Sequence, residues 1–176
     1  ASSQQSLLDE IKQGKATVAD IEITSVIDHP PFRVLINDLI EMQNHHDCLK
    51  LIAIDAGLEL KTNRDEWMAI QLTDKVGQAP VLALLGNLHT LKKVDWNPAI
   101  IKKEPYVAEI LAERGFNIKS YPQVWQDRVC NSKTRLISVD EPDASKLLNA
   151  DLFALLNASK PETVTDIIDG IVLWEC

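Results

Sequence analysis

The sequence lacks the patterns that mark several large classes of protein. No apolar run approaches the roughly 20 residues that a membrane-spanning helix needs, so no membrane span is expected. No basic stretch followed by an apolar one opens the chain, as a secretion signal would. Basic residues are in the minority, with 18 Lys and Arg against 26 Asp and Glu and a net charge of -8. A chain with this charge repels polyanions, so nucleic acid is not an expected partner.

Cysteine is also scarce, and the three cysteines are Cys48, Cys130 and Cys176. They show no CxxC spacing, which argues against a zinc knuckle. We interpret them as buried, reduced thiols, with a disulfide between Cys130 and Cys176 as the alternative in an oxidising compartment. The signatures GxSxG and HExxH and a glycine-rich phosphate loop do not occur in the chain.

The residues that are present predict one domain over residues 1–176 with alternating helices and strands. The clearest helix begins at Pro30 and carries apolar residues from Phe32 to Ile40 at helical spacing, which makes one buried stripe. Asn63 is placed to cap the next helix, with Glu66 three residues later. Helices are predicted over 7–11, 30–43, 64–76, 105–114 and 147–156.

Two kinds of strand are predicted. Residues 49–57 and 81–87 are apolar almost throughout, as in strands that are buried on both faces. Residues 117–121 and 134–139 alternate between apolar and polar, and residues 170–174 form a closing strand. No strand is predicted before residue 48. The pattern indicates an α/β layered domain with a mostly parallel central sheet flanked by helices.

Polar side chains follow the two apolar strands, at the edge of an open α/β sheet where ligands usually bind. One predicted strand ends at Asp55 and the other at Gly86, Asn87 and His89. Gly86 can turn sharply or allow a close approach to the backbone. His89 can bind a metal, accept a proton or bond a substrate, and Asn87 can orient it. The alternative is that His89 only caps the loop before Trp96.

A charged helix start is predicted beside this edge. Asp65 in the first turn is favoured by the helix dipole, but Arg64 is opposed by it. We therefore expect an acidic partner such as Asp55 to hold Arg64, the alternative being an ordinary exposed arginine. Nearby lysines can attract an anionic ligand or simply be solvated; they are Lys92, Lys93, Lys102 and Lys103.

Two linked motifs resemble a known superfamily. NRDEWMA, from Asn63 to Ala69, precedes PVLALLGNLH, from Pro80 to His89. The combination is similar to the superfamily of ChaN-like haem-binding lipoproteins, erythromycin esterases and Tiki/TraB proteins. The matching residues are Arg64, Asp65, Met68, Ala69, Gly86, Asn87 and His89.

The resemblance implies a ligand site around the GNLH motif, with Asp55, Asp65 and Gly86 near the ligand. Members of the superfamily also carry an earlier strand that ends in Gly-Glu-x-x-His, and no such element occurs in this chain. Either that N-terminal strand lies outside the chain or this protein has lost it.

Three functions are compatible with these residues. The first is a ChaN-like protein that binds haem or another small ligand, with Tyr106, Tyr121 or a histidine as the axial ligand. The second is a hydrolase in which His89 acts as a base or as the ligand of a divalent metal, while Asn87 and Arg64 polarise the substrate. The third is a non-catalytic interaction protein that forms homo-oligomers. A ChaN-like protein is expected in the periplasm or at a membrane, and otherwise a cytoplasmic location is expected.

Overall fold

A computed structural model describes residues 1–57, 63–76, 79–100, 104–126 and 133–175. Its internal contacts divide the chain into two compact units, Ala1–Trp67 and Met68–Cys176. Each unit is described below by itself. The single domain expected from the sequence stays a prediction.

The helices agree well with the predicted positions. In the described residues the α-helices are α1 (Gln5–Lys12), α2 (Pro30–His45), α3 (Arg64–Val76), α4 (Val107–Glu113) and α5 (Pro142–Asp151). The caps follow the sequence signals, since the Asn63 side chain accepts the N–H of Glu66 at 3.0 Å. Gly115 has a φ of 82° just after α4, a backbone conformation that suits glycine. Helix α5 begins and ends five residues earlier than the predicted range 147–156, and it begins at a proline, which is tolerated in a first turn.

In the first unit α1 packs against α2. Arg33 on α2 fixes the preceding chain, because its guanidinium bonds both carboxylate oxygens of Asp28 at 2.7 and 3.0 Å. The same guanidinium donates to the carbonyl oxygens of Val18 and Ile21. One side chain on α2 therefore anchors the connection from residue 18 to residue 28.

None of the residues 49–57, the first apolar run, lies in a helix or a strand. The Gln5 side chain accepts the N–H of Ala53 at 2.8 Å and donates to the carbonyl of Leu51 at 3.4 Å. The N–H of Ser2 donates to the carbonyl of Asp55 at 2.6 Å. The predicted strand is wrong here, because partners from the N-terminal segment bond the backbone groups that a neighbouring strand would use.

None of the residues 81–86, the second apolar run, lies in a helix or a strand either. Its side chains are not buried, since Leu82 is 100% exposed and Leu84 62% exposed. An apolar run indicates that a segment favours burial, but it forms a strand only where another strand lies beside it. The prediction of a buried strand in this position is therefore wrong for this structure.

The sheet lies in the second unit and consists of β1 (Gln123–Gln126), β2 (Lys133–Ser138) and β3 (Gly170–Glu175). The strand order is β1-β3-β2. Strand β1 is parallel to β3, with Trp125 opposite Trp174, and β2 is antiparallel to β3, with Leu136 opposite Val172. Residues 134–139 and 170–174 are confirmed as strands, whereas residues 117–121 only lead into β1.

The core of the second unit lies on one face of this sheet, because side chains alternate between the two faces of a strand. The buried side chains come from all three strands, from α5 and from the loops around residues 91–94 and 164–168. They include Leu91, Val94, Val124, Ile137, Leu148, Phe153, Val164, Ile168, Ile171 and Leu173.

The fold is thus mixed α/β, as predicted, but the sheet is small and mixed. Of the two strand pairings in the described residues, one is parallel and one antiparallel. The mostly parallel central sheet is not observed, because the two apolar runs meant to supply its parallel strands are unpaired. Within the described ranges, no helix is long and apolar enough to cross a membrane.

Asp169, directly before β3, joins three segments of the second unit. Its carboxylate accepts Lys92 Nζ at 2.7 Å, Lys119 Nζ at 3.0 Å and the N–H of Ser120 at 2.9 Å. The side chains of Lys92 and Asp169 are only 13% and 16% exposed. Burial alone would raise the pKa of Asp169, but these donors outweigh it and lower the pKa below the ordinary value of 3.8.

Replacing Asp169 by Asn should lower the free energy of unfolding by about 3 kcal/mol, because it leaves Lys92 buried without its anion. Since the pKa of Asp169 is lowered, its stabilisation should be present above pH 3.8 and should be lost as the pH falls further. Urea denaturation at pH 7 and pH 3 measures both effects. Lys119→Gln is the control and should cost less than about 1 kcal/mol, because Lys119 is 67% exposed. An Asp169→Asn protein as stable as the parent would contradict this account.

Candidate functional site

The Gly86-Asn87-x-His89 motif begins a short 3-10 helix, Asn87–Thr90, in the second unit. The N–H of His89 donates to the carbonyl of Gly86 at 2.9 Å and closes the turn. Gly86 itself has a φ of -62°, which any residue adopts, and a Cβ added there would lie 3.4 Å from the His89 ring. The expected sharp turn at Gly86 therefore does not depend on glycine in this structure.

The Asn87 side chain is committed to the backbone of β1. Its Nδ2 donates to the carbonyl of Gln123 at 2.5 Å, and its Oδ1 accepts the N–H of Gln123 at 2.9 Å. Strand β1 is at the edge of the sheet, so the amide bonds one residue of the edge as a further strand would. Catalysis by Asn87 stays a prediction, and its observed contacts position the turn against the sheet.

His89 is half-buried and lies edge-on against Tyr106, with ring centroids 6.0 Å apart and an interplanar angle of 87°. Tyr106 in turn lies 6.0 Å from the ring of Trp96 at 42°. Tyr106, at the start of α4, therefore contacts both the His89 ring and the Trp96 ring.

In the first unit Asp55 and Arg64 form the predicted ion pair. Arg64 Nε lies 2.7 Å from Oδ1, and Nη2 lies 2.8 Å from Oδ2. The Arg64 hydrogen bond holds the pKa of Asp55 below its ordinary value. The side chains are 58% and 42% exposed, so this pair contributes about 0.2–1 kcal/mol to stability. Asp65 lies in the first turn of α3, as expected.

A groove in the second unit, which the sequence did not indicate, runs between the segment 92–96 and α4. Its volume is about 640 Å³. A smaller hollow of about 350 Å³ shares part of its wall and reaches Trp96 and Pro105. The shared wall consists of Val94, Asp95, Glu109 and Glu113.

Glu109 in the first turn of α4 is the unusual member of this wall. Burial raises its pKa, and Glu113 and Asp95 raise it further, against the effect of the N–H groups of Val94 and Tyr106. Its Oε1 accepts the N–H of Val94 at 3.3 Å. Its Oε2 is buried and has no hydrogen-bond donor in the part of the chain that the structure describes.

Sequence reasoning missed Glu109, although a signal was present. Its neighbours along the helix, Val107, Ala108, Ile110 and Leu111, are all buried. A glutamate among four such residues has little room to reach solvent on a helix of this length. Glu109 also follows Tyr106 by three residues, the spacing at which a glutamate approaches the start of a helix.

The other candidate residues are placed as follows. Cys48 is a free thiol and is exposed, so the prediction of a buried thiol is wrong at this position. Cys130, Cys176, Lys102 and Lys103 lie outside the described residues. Among the described residues, no three His, Cys, Asp or Glu side chains are placed to hold a metal ion. The hydrolase hypothesis stays a prediction. The two side chains expected to polarise a substrate already form hydrogen bonds within the chain, Arg64 with Asp55 and Asn87 with Gln123.

No family model, curated protein or solved structure matches this chain. The resemblance to the ChaN-like and Tiki superfamily therefore stays a prediction from the two sequence motifs.

Because the pKa of Glu109 is raised, its ionisation should destabilise the folded state. Below the ordinary value of 4.5 the carboxyl is protonated in both states, and the cost develops as the pH rises through the pKa of the folded state. Glu109→Gln, which cannot ionise, should therefore gain stability relative to the parent between pH 4 and pH 8. Urea denaturation over this range measures the difference.

The control for this prediction is Glu162→Gln, which removes one exposed carboxylate of the same unit. It should follow the pH dependence of the parent. A difference between Glu109→Gln and the parent that is constant over the whole range would show that Glu109 titrates as it does in the unfolded chain.

Proposed function

We propose that this chain is a small-ligand-binding protein whose site is the groove between the segment 92–96 and α4. The groove carries the proposal, since its volume of about 640 Å³ lies within the range of small-molecule sites. The proposal keeps the ligand-binding function inferred from the sequence and places the site just after the GNLH turn.

The chemistry of the wall supports this choice. Val94, Ala112, Phe116 and Ile118 give it apolar surface, and the half-buried Glu109 carboxyl, whose pKa is raised, lies among them. Ligand sites combine apolar walls with a few polar groups that fix orientation. Titratable groups with a shifted pKa are also concentrated at functional sites.

His89 is connected to this groove through one side chain. Tyr106, which lies against the His89 ring, directly precedes α4. The Tyr106 ring also lies 6.0 Å from that of Trp96, which lines the smaller hollow. A change at His89 therefore alters the support of Tyr106 and, through it, the wall formed by Trp96. We propose that His89 positions the aromatic wall of the site.

Haem is the ligand that the resemblance suggests, with His89 or Tyr106 as the axial group and Tyr121 as a further candidate. Adding haem to the protein at micromolar concentration should then shift the Soret band, and His89→Ala should weaken the binding at least tenfold. His46→Ala is the matched control, since His46 is exposed at the end of α2. An unchanged Soret band would exclude haem as the ligand. The proposal would then apply to other small ligands.

A second candidate function, self-association, is favoured by the exposure of residues 81–86. Leu82 and Leu84 are two residues apart and therefore share one face of the segment when it pairs as a strand. The segment carries no charge and has no proline after Pro80, which is typical of strands that pair between chains. Two antiparallel copies can place Leu82 of one opposite Leu84 of the other, a closed two-fold arrangement.

Light scattering over a protein concentration range from about 10 μM to 1 mM tests this function. The mass should rise from monomer toward dimer, and Leu82→Lys should hold the protein as a monomer by placing a charge in the contact. Leu155→Lys is the matched control, because Leu155 is 74% exposed elsewhere in the second unit and should leave the association unchanged. A parent protein that stays monomeric at 1 mM would exclude this function.

A further inference from the structure

In the first unit, the segment that contains α1 bonds the backbone of the first apolar run along one edge. The Gln5 amide donates to the carbonyl of Leu51 at 3.4 Å and accepts the N–H of Ala53 at 2.8 Å. The N–H of Ser2 donates to the carbonyl of Asp55 at 2.6 Å. Residues 51, 53 and 55 alternate along the chain, which is how a strand presents its hydrogen-bonding groups to one neighbour. The segment with α1 therefore occupies the place of a neighbouring strand.

The edge that is occupied in this way is suited to pair with a copy of itself. Residues 51–54 read Leu-Ile-Ala-Ile and carry no charge, although the net charge of the chain is -8. Uncharged, apolar runs without proline are the segments that pair between chains when their backbone groups are exposed. Two antiparallel copies place Ala53 opposite Ala53 and Leu51 opposite Asp55, so the same three residues bond each other about a two-fold axis. A second copy of this chain is the partner that fits the edge.

The segment that occupies the edge is held by polar anchors at the surface. No residue of α1, all of which the structure describes, is buried. Besides Gln5 and Ser2, the Gln4 amide bonds both the N–H and the carbonyl of Glu22 at 2.8 Å. Water replaces such hydrogen bonds when a segment opens, so each contributes little net stability. Segments without buried side chains open at a lower cost than the whole unit, so this one can open while α2 stays folded.

We propose that residues 1–12 are an autoinhibitory cover over the edge of residues 51, 53 and 55, and that its release lets this edge pair with the same edge of a second copy. The inference goes beyond the ligand-binding function and does not depend on the groove. It also uses a surface other than residues 81–86, so the two kinds of association are tested separately.

Hydrogen exchange of the parent protein tests the release of the cover. The amides of α1 and the N–H of Ala53 should show similar protection, because one opening event exposes them. Both should be protected at least tenfold less than the N–H of Ile40, which is buried in the middle of α2. An Ala53 amide as strongly protected as that of Ile40 would overturn the proposal, since the cover would then open only together with α2.

Light scattering of the full chain over the concentration range given above tests the pairing, in a Leu82→Lys background that removes association through residues 81–86. Gln5→Met keeps the size of the side chain and removes its two backbone contacts, so the mass should rise from monomer toward dimer. Ala53→Pro added to Gln5→Met should restore the monomer, because proline has no N–H to donate. Gln13→Met is the matched control, since Gln13 is exposed at the end of α1, and it should leave the mass unchanged.

A Gln5→Met chain that stays monomeric, or a dimer that persists after Ala53→Pro, would overturn the proposal and leave the ligand-binding function intact. Association of the parent that is lost with Leu82→Lys and not regained with Gln5→Met would assign self-association to residues 81–86 alone. The exchange experiment needs only the parent protein, so it decides the matter even where Gln5→Met fails to fold.

Discussion

The second unit depends on one largely buried carboxylate, that of Asp169, whose side chain is 16% exposed. It joins Lys92, Ser120 and Lys119 at the start of the central strand β3. Taking a carboxylate and an ammonium group out of water is costly, and close geometry with further hydrogen bonds offsets that cost. The contact also fixes Lys92 beside the start of β3, and Lys92 belongs to the segment that forms one wall of the groove. The position of this wall thus depends on an ion pair between a groove residue and Asp169.

Two amide side chains form backbone hydrogen bonds of the kind that a neighbouring strand would otherwise form. Gln5 bonds the backbone at Leu51 and Ala53, and Asn87 bonds both backbone groups of Gln123. Each amide supplies one donor and one acceptor, the same groups that a peptide unit offers. Each amide side chain bonds the backbone groups of only one or two residues. It therefore replaces strand pairing over a short stretch, and the sheet of the described residues has three strands.

The local signals in the sequence predicted the helices and two of the strands, because caps and hydrophobic spacing act within a few residues. Asn63 and Pro30 start their helices as expected, and Arg64 is held by Asp55. Pairing of residues 49–57 and 81–86 could not be predicted, since it depends on which distant segment lies beside each run. Glu109 was missed for a related reason. Its spacing from Tyr106 indicates an approach to the start of α4, but its partial burial and the missing donor to its Oε2 among the described residues depend on the packing of α4 against the segment 92–96.

The central claim is that the groove along α4 is the binding site, and Val94 is its most direct reporter. Its N–H is bonded to Glu109, so a ligand that reaches this carboxyl must change the environment of that amide. Screening a mixture of small cationic, neutral and anionic compounds by ¹H–¹⁵N spectra measures this change whichever compound binds. The account predicts that the largest shifts lie at Val94, Glu109 and Glu113. Shifts confined to Trp125 and Trp174 on the sheet, with Val94 unchanged, would contradict it.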